Sequence, residues 1–114
     1  MLGIDASKFY QIIVLLLDNA LKYTEENDEI KIETYQKDNK VVIEVKDTGI
    51  GISDEGLTRV FERFYREDEA RNRETGGTGL GLSLASYIVS AHDGTIKASH
   101  NTPKGTIFTI KLPK

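Results

Sequence analysis

The sequence predicts an α+β fold, a two-layer α/β sandwich with helices packed on one face of a mixed, mostly antiparallel sheet. Three observations predict it. Three segments carry apolar residues at helical spacing, so each presents one apolar stripe. Other short segments alternate apolar with polar residues and are joined by turn-forming sequences. Taken in order, these helices and strands can bury their apolar sides against one another in two layers. A chain of 114 residues suggests one domain, residues 1–114, long enough for a single core without staples.

The first helix is expected from about Ser7 to Thr24, where Phe9, Ile12, Ile13, Leu16 and Ala20 recur at helical spacing. Asp5 or Ser7 can cap its start. Two strands follow. Ile30 and Ile32 alternate with charged residues, as do Ile43 and Val45, and Lys37-Asp38-Asn39-Lys40 reads as the turn between them. A short helix near Asp54 to Tyr65 sets Leu57, Val60, Phe61 and Phe64 on one side. Arg66 to Thr78 is polar and without apolar periodicity, which predicts a mobile loop. A third helix runs from about Gly79 to His92, with Leu84, Ala85, Ile88 and Val89 as its buried side. Two last strands, about Thr95 to His100 and Thr106 to Leu112, form a hairpin through Asn101-Thr102-Pro103-Lys104-Gly105.

Composition excludes several classes of function. There is no cysteine, so disulfides and thiolate metal sites are ruled out. The net charge is −3, with 15 basic and 18 acidic residues intermixed, which argues against a dedicated nucleic-acid surface. The longest apolar run, Ile12 to Leu17, falls far short of the roughly 18 residues of a membrane span. Asp5 and Ser7 interrupt the start before a signal-peptide core can form. The two histidines, His92 and His100, sit at a helix end and a strand end and are expected to be structural.

Four places can carry chemistry. At about 100° per residue, Asn19 and Tyr23 lie along one edge of the first helix's stripe, with Lys22 just beyond and Asp18 pointing away. An amide, an ammonium and an aromatic ring at a boundary between core and solvent suit a partly buried polar ligand. An ordinary polar helix end looks the same. Strand parity puts Asp47 on the apolar face with Val41, Ile43 and Val45. A carboxylate there is costly unless something hydrogen-bonds it, and an amino group on a flat heterocycle would do so. Gly49 and Gly51 would let backbone bend closely beneath a ring, or simply end the strand in a turn. Gly76-Gly77-Thr78-Gly79-Leu80-Gly81 opens into a helix, where free N–H groups and the dipole favour phosphate. It lacks the Gly-Lys-Ser/Thr ending of a P-loop and the preceding strand of a dinucleotide fingerprint, and a linker would have a similar composition. The protein-kinase signature with its catalytic-loop aspartate is absent as well. Thr106 shares parity with Phe108, Ile110 and Leu112; its hydroxyl therefore faces inward, toward Asp47 or a water beside it.

Together these pieces resemble the catalytic ATP-binding domain of sensor histidine kinases, within the superfamily that includes DNA gyrase and mismatch-repair ATPases. Leu17-Asp18-Asn19-Ala20-Leu21-Lys22-Tyr23-Thr24 resembles the N box and Asp47-Thr48-Gly49-Ile50-Gly51-Ile52 the G1 box. Phe61-Glu62-Arg63-Phe64-Tyr65-Arg66 resembles the F box, and Gly77-Thr78-Gly79-Leu80-Gly81-Leu82 the G2 box. Gly105-Thr106 with Phe108 fits the closing motif. The resemblance covers about residues 5 to 113, and five motifs in register are far more specific than any one of them.

The resemblance implies a set of roles. Asn19 would ligate Mg²⁺ through its amide oxygen. Lys22 would contact phosphate and Tyr23 would pack near the base. Asp47 would accept from the adenine amino group, Gly49, Gly51 and Ile52 would line the pocket, and Thr106 would support Asp47 through water. Gly77, Thr78, Gly79, Leu80 and Gly81 would face the phosphates, and Arg66 the γ-phosphate during transfer. The polar loop would be the ATP lid. ATP and Mg²⁺ are thus the implied cofactors. The implied activity is transfer of the γ-phosphoryl group to a histidine on a separate dimerisation domain, and the implied partners are that domain and a cognate response regulator. The parent would be a membrane-bound homodimer, with this monomeric portion on its cytoplasmic side. The phosphoacceptor domain, and one flanking strand, would precede Met1.

Two other functions fit parts of the pattern. One is a nucleotide-binding regulatory module without catalysis of its own. The other is a serine kinase of the anti-sigma type, against which the F box speaks. One departure stands out. Many members of the family carry a second asparagine four residues before the first, whereas this chain has Leu15. One fewer side-chain ligand and one more water are therefore expected at the metal.

Overall fold

The computed structural model describes residues 6–62 and 81–113. Its elements are α1 (Ala6–Lys22), β1 (Ile30–Lys37), β2 (Lys40–Asp47), α2 (Asp54–Arg59), α3 (Gly81–Ala91), β3 (Thr95–His100) and β4 (Thr106–Pro113). Among the described residues the expected order holds, in the two-layer form, but α2 ends at Arg59, short of the expected Tyr65, and residues 60–62 turn away from the helix. Phe64, the Arg66–Thr78 loop and Asp5 fall outside the described residues.

Helix α1 buries Ile12, Leu16 and Ala20, one turn apart along a single stripe, and Phe9, Ile13 and Leu15 pack beside them. Its last turn tightens through a hydrogen bond from Tyr23 N–H to the Ala20 carbonyl (3.2 Å), which occupies a carbonyl the helix end leaves open. Lys22 lies in that turn, where a cation suits the dipole. Asp38 and Asn39 both adopt left-handed backbone (φ 54° and 64°) between Lys37 and Lys40. That is the two-residue hairpin turn whose twist matches the strands it joins. Ser53 caps α2 by accepting Gly56 N–H (3.0 Å), with Asp54 and Glu55 in the first turn.

Helix α3 buries Leu82, Ala85, Ile88 and Val89. Leu84, expected inside, is instead 40% exposed. Leu82 explains the correction. It shifts the centre of the buried arc toward itself and Ala85, leaving Leu84 about 100° away at the rim. After the helix, Asp93 turns left-handed (φ 61°) and Gly94 N–H bonds back to the Val89 carbonyl (2.9 Å). His92 and His100 both have fixed partners. His92 Nδ1 lies 2.8 Å from the Ile88 carbonyl and His100 Nε2 lies 2.7 Å from Asp54 Oδ1.

The sheet runs β1-β2-β4-β3 and every described pair is antiparallel. The last strand in the sequence is thus an inner one. On the helix side, Val41, Ile43, Val45 and Asp47 stand opposite Leu112, Ile110, Phe108 and Thr106. These residues meet α1, α2 and α3 in one core, where Phe61 and Phe108 pack edge to face with ring centroids 6.0 Å apart. The opposite face mixes apolar and charged residues: Val42 is buried there, while Lys46 pairs with Glu33 (2.9 Å) and Glu44 (3.6 Å). Ile32 points to the helix side yet is 41% exposed, because β1 is the outermost strand.

Candidate nucleotide site

Asp47 is the end of β2 and is 3% exposed, on the apolar face where strand parity placed it. Two backbone N–H groups hold its carboxylate, Gly49 at 3.0 Å and Thr106 at 3.3 Å, and both donate to the same oxygen, Oδ1. Among the described residues, Oδ2 receives no hydrogen bond. Burial raises the Asp47 pKa, the two N–H donors oppose that rise, and the negative charge of Asp28 adds to it. A buried carboxylate with one oxygen fixed and the other unsatisfied is an acceptor waiting for a donor.

The backbone after Asp47 is stitched to the chain that follows α1. Ile50 N–H donates to the Tyr23 carbonyl (3.1 Å) and Thr48 N–H to the Glu29 carbonyl (3.0 Å). Glu29 N–H in turn donates to Thr48 Oγ1 (2.8 Å). Gly49 approaches so closely that a Cβ on it would lie 2.0 Å from the Tyr23 carbonyl oxygen. Its role therefore includes closeness to α1's end as well as freedom to bend. Gly51 is left-handed (φ 81°) and lies against Gly105, itself at φ 108°. Ile52 is buried in the core beside these turns.

The sequence-predicted residues thus fall into three groups. Asp47, Gly49, Gly51, Ile52 and Thr106 converge directly, and Tyr23 joins them through its backbone. Asn19 and Lys22 sit on the last turns of the same α1 that this backbone is tied to. Asn19 is half-buried, as its position at the edge of the stripe requires, and Lys22 lies 3.8 Å from Asp18. Gly81 opens α3 and lies near Leu15, whose side chain packs against the core. Arg66, Gly77, Thr78, Gly79 and Leu80 lie outside the described residues. Thr106 is 3% exposed as expected, but its direct bond to Asp47 comes from its backbone N–H. The reason is register: Thr106 stands opposite Asp47 in the ladder.

One participant escaped the sequence reading. The side-chain Nδ2 of Asn101 donates to the Asp47 carbonyl oxygen (2.9 Å), while its own N–H donates to the Gly105 carbonyl (3.0 Å). An asparagine opening a glycine-containing turn has the means to bond nearby backbone. Its use on a strand 54 residues earlier depends on the β2–β4 pairing.

The residues present suit an adenine nucleotide. Oδ2, without a hydrogen bond among the described residues, matches an exocyclic amino group. For a metal, the amide oxygen of Asn19 is a hard donor of the kind Mg²⁺ takes together with phosphate and water. Among the described residues, no cluster of three or more histidine and carboxylate side chains offers an alternative centre.

Comparison with known proteins agrees with this geometry. Residues 4–114 match the family model described as histidine kinase-, DNA gyrase B- and HSP90-like ATPase. The chain is 51% identical to sensor protein CiaH of Streptococcus pneumoniae over 102 residues, which is 90% of this chain and 23% of that protein. It is 44% identical to sensor protein SrrB of Staphylococcus aureus over 110 residues, 96% of this chain and 19% of that one. It therefore spans about a fifth to a quarter of these relatives. The mycobacterial sensor histidine kinase MprB superposes with a TM-score of 0.87 at 31% identity, covering 98% of this chain and 76% of the MprB chain.

Proposed function

The chain belongs to the histidine kinase-, DNA gyrase B- and HSP90-like ATPase family, and from that premise we propose that it binds Mg²⁺-ATP and passes the γ-phosphoryl group to a histidine on a separate dimerisation domain in two-component signalling. The observation that carries this reading is the Asp47 carboxylate, buried with Oδ1 fixed and, among the described residues, no hydrogen bond to Oδ2.

In this reading Asp47 Oδ2 accepts from the adenine amino group and so selects adenine over guanine, which presents a carbonyl at that position. Gly49, Gly51 and Ile52 form the floor under the ring, and Tyr23 packs beside it. Lys22 exchanges its weak contact with Asp18 for phosphate. Mg²⁺, held by the Asn19 amide oxygen, phosphate and water, supplies neutralisation of phosphate charge. Gly77, Thr78, Gly79, Leu80 and Gly81 offer backbone N–H groups to the phosphates, and Arg66 steadies the γ-phosphoryl group as it leaves. Phosphoryl transfer needs little beyond positioning and electrostatics, which is what these residues provide.

The phosphoryl acceptor lies on another domain. We place this domain on the cytoplasmic side of a membrane-bound dimeric parent that hands its phosphoryl group to a response regulator. Among the described residues, no helix is long and apolar enough to cross a membrane.

The test is to mix the purified chain with the parent's histidine-bearing helical domain and γ-labelled ATP. Label is expected on the histidine, with none when Asn19→Ala replaces the parent sequence. ATP binding without label on the histidine would sink the transfer reading and leave a nucleotide-binding regulatory module.

A further inference from the structure

We propose that Asp28 and Lys104 form a positioning pair for Asp47, an ionic brace joining the loop after α1 to the β3–β4 turn across the back of the nucleotide pocket. This inference rests on the nucleotide reading and adds two residues to it that lie outside all five family-like motifs.

The geometry is that of a clamp. Asp28 Oδ2 accepts Glu25 N–H (2.8 Å), which fixes the carboxylate within its own loop, and Lys104 Nζ reaches Oδ1 at 3.3 Å. The Asp28 side chain is 12% exposed and that of Lys104 61%, so the lysine closes the brace from outside. Between the two segments lies the end of β2. Thr48 is held on one side by its pair of hydrogen bonds with Glu29. On the other side, Asn101 holds the Asp47 carbonyl, and Gly105 lies so close that a Cβ on it would be 1.9 Å from that oxygen. Loop and turn thus press the same dipeptide from opposite sides. The Asp28–Lys104 pair is the ionic link between them.

The pair also acts through charge. Among the described residues, Asp28 is the charged side chain whose field reaches Asp47, and it pushes the Asp47 carboxyl upward. The neighbours contributed by β4 and by the turn, Thr106 and Asn101, are neutral. Asp28 is itself held below the usual carboxylate range, first by Glu25 N–H and then by Lys104 and Thr48. It therefore stays ionised where Asp47 titrates. Lys104 screens that charge. Removing Asp28 or removing Lys104 should therefore move the Asp47 carboxyl in opposite directions, the first directly and the second through Asp28.

That opposition separates a positioning pair from a merely structural one. ADP affinity is measured by calorimetric titration over the acid limb for the parent sequence, Asp28→Asn, Lys104→Gln and Lys104→Arg. Nucleotide and protein are matched at each pH so that the phosphate's own ionisation cancels. Asp28→Asn is expected to move the midpoint of affinity loss to lower pH by at least about 0.3 unit, and Lys104→Gln to higher pH by a similar amount. Lys104→Arg should stay near the parent value, and the shifts should shrink in high salt. Shifts of Asp28→Asn and Lys104→Gln in the same direction, or no shift in either, would overturn the proposal. Asp47→Asn is run alongside. If it binds ADP as tightly as the parent sequence, the nucleotide reading and this inference fall together. If it loses ADP while the Asp28 and Lys104 variants fail to diverge, only the inference falls.

Discussion

At the scale of single residues, Asp47 sets a conflict between stability and binding. Its pKa is raised by burial, so the folded protein holds a proton more tightly than the unfolded chain does. Stability is therefore greatest at low pH with respect to this group. It declines as pH climbs from the ordinary carboxylate value through the raised one, because the ionised form is the costly one. In the proposed reading, nucleotide binding has the opposite sign, since the amino group of adenine would need the ionised acceptor. Asp47→Asn should thus bind ADP at least about tenfold more weakly, a loss of about 1.4 kcal/mol or more, while the free protein unfolds at an equal or higher temperature near neutral pH. Calorimetry and a thermal melt on the same preparation check both halves. A variant that melts well below the parent sequence would contradict the account of Asp47 as a destabilising acceptor.

Residues also show what the sequence made legible. Parity alone placed Asp47 and Thr106 on the inner face, because a strand allows only two directions. Asn101 offered no such restriction: an asparagine in a turn serves its own loop as readily as a distant strand. Leu84 was misplaced for a related reason. Four apolar residues of α3 share a broad arc, and Leu82, standing among glycines in the sequence, draws its centre away from them.

At the scale of elements, two substitutions probe how α1 and the sheet are held together. Gly49→Ala would put a methyl group onto the Tyr23 carbonyl oxygen, forcing the end of α1 away from β2. A loss of about 2–3 kcal/mol is expected, with nucleotide affinity falling in parallel. Phe108→Ala opens a cavity where the fully buried ring meets Phe61 and the helices, and should cost about 3–5 kcal/mol. Urea unfolding reads both. Removing Lys46 from its ion pairs on the open sheet face should change stability by less than about 1 kcal/mol, since exposed pairs contribute little. The turn between β1 and β2 was readable because Asp38-Asn39 carries a turn signal that agrees with the alternation on either side. The end of α2 was not: the apolar stripe through Val60 and Phe61 continued past Arg59, where the helix stops. Register was not readable, and the contacts of Asn101 follow from register.

At the scale of the whole molecule, binding and folding are linked. A ligand that recognises only the folded state raises its stability by about 2.7 kcal/mol at a free concentration near 100 times its dissociation constant. Saturating ADP should therefore raise the melting temperature of the parent sequence by several degrees and that of Asp47→Asn by no more than about half as much at the same concentration. Equal stabilisation of both would place the nucleotide somewhere other than beside Asp47.

The order of the strands carries a consequence for biosynthesis. Because β4 follows every other described strand in the sequence and lies between β2 and β3, a ribosome that has released everything up to His100 has delivered Asn19, Asp47, Gly49 and Gly51, yet no socket. Asp47 at that moment lacks Thr106, Asn101 and the neighbouring strand. In the proposed reading, the ability to capture nucleotide therefore arrives only once β4 has been made, and chains that stop before Thr106 should be unable to hold ATP.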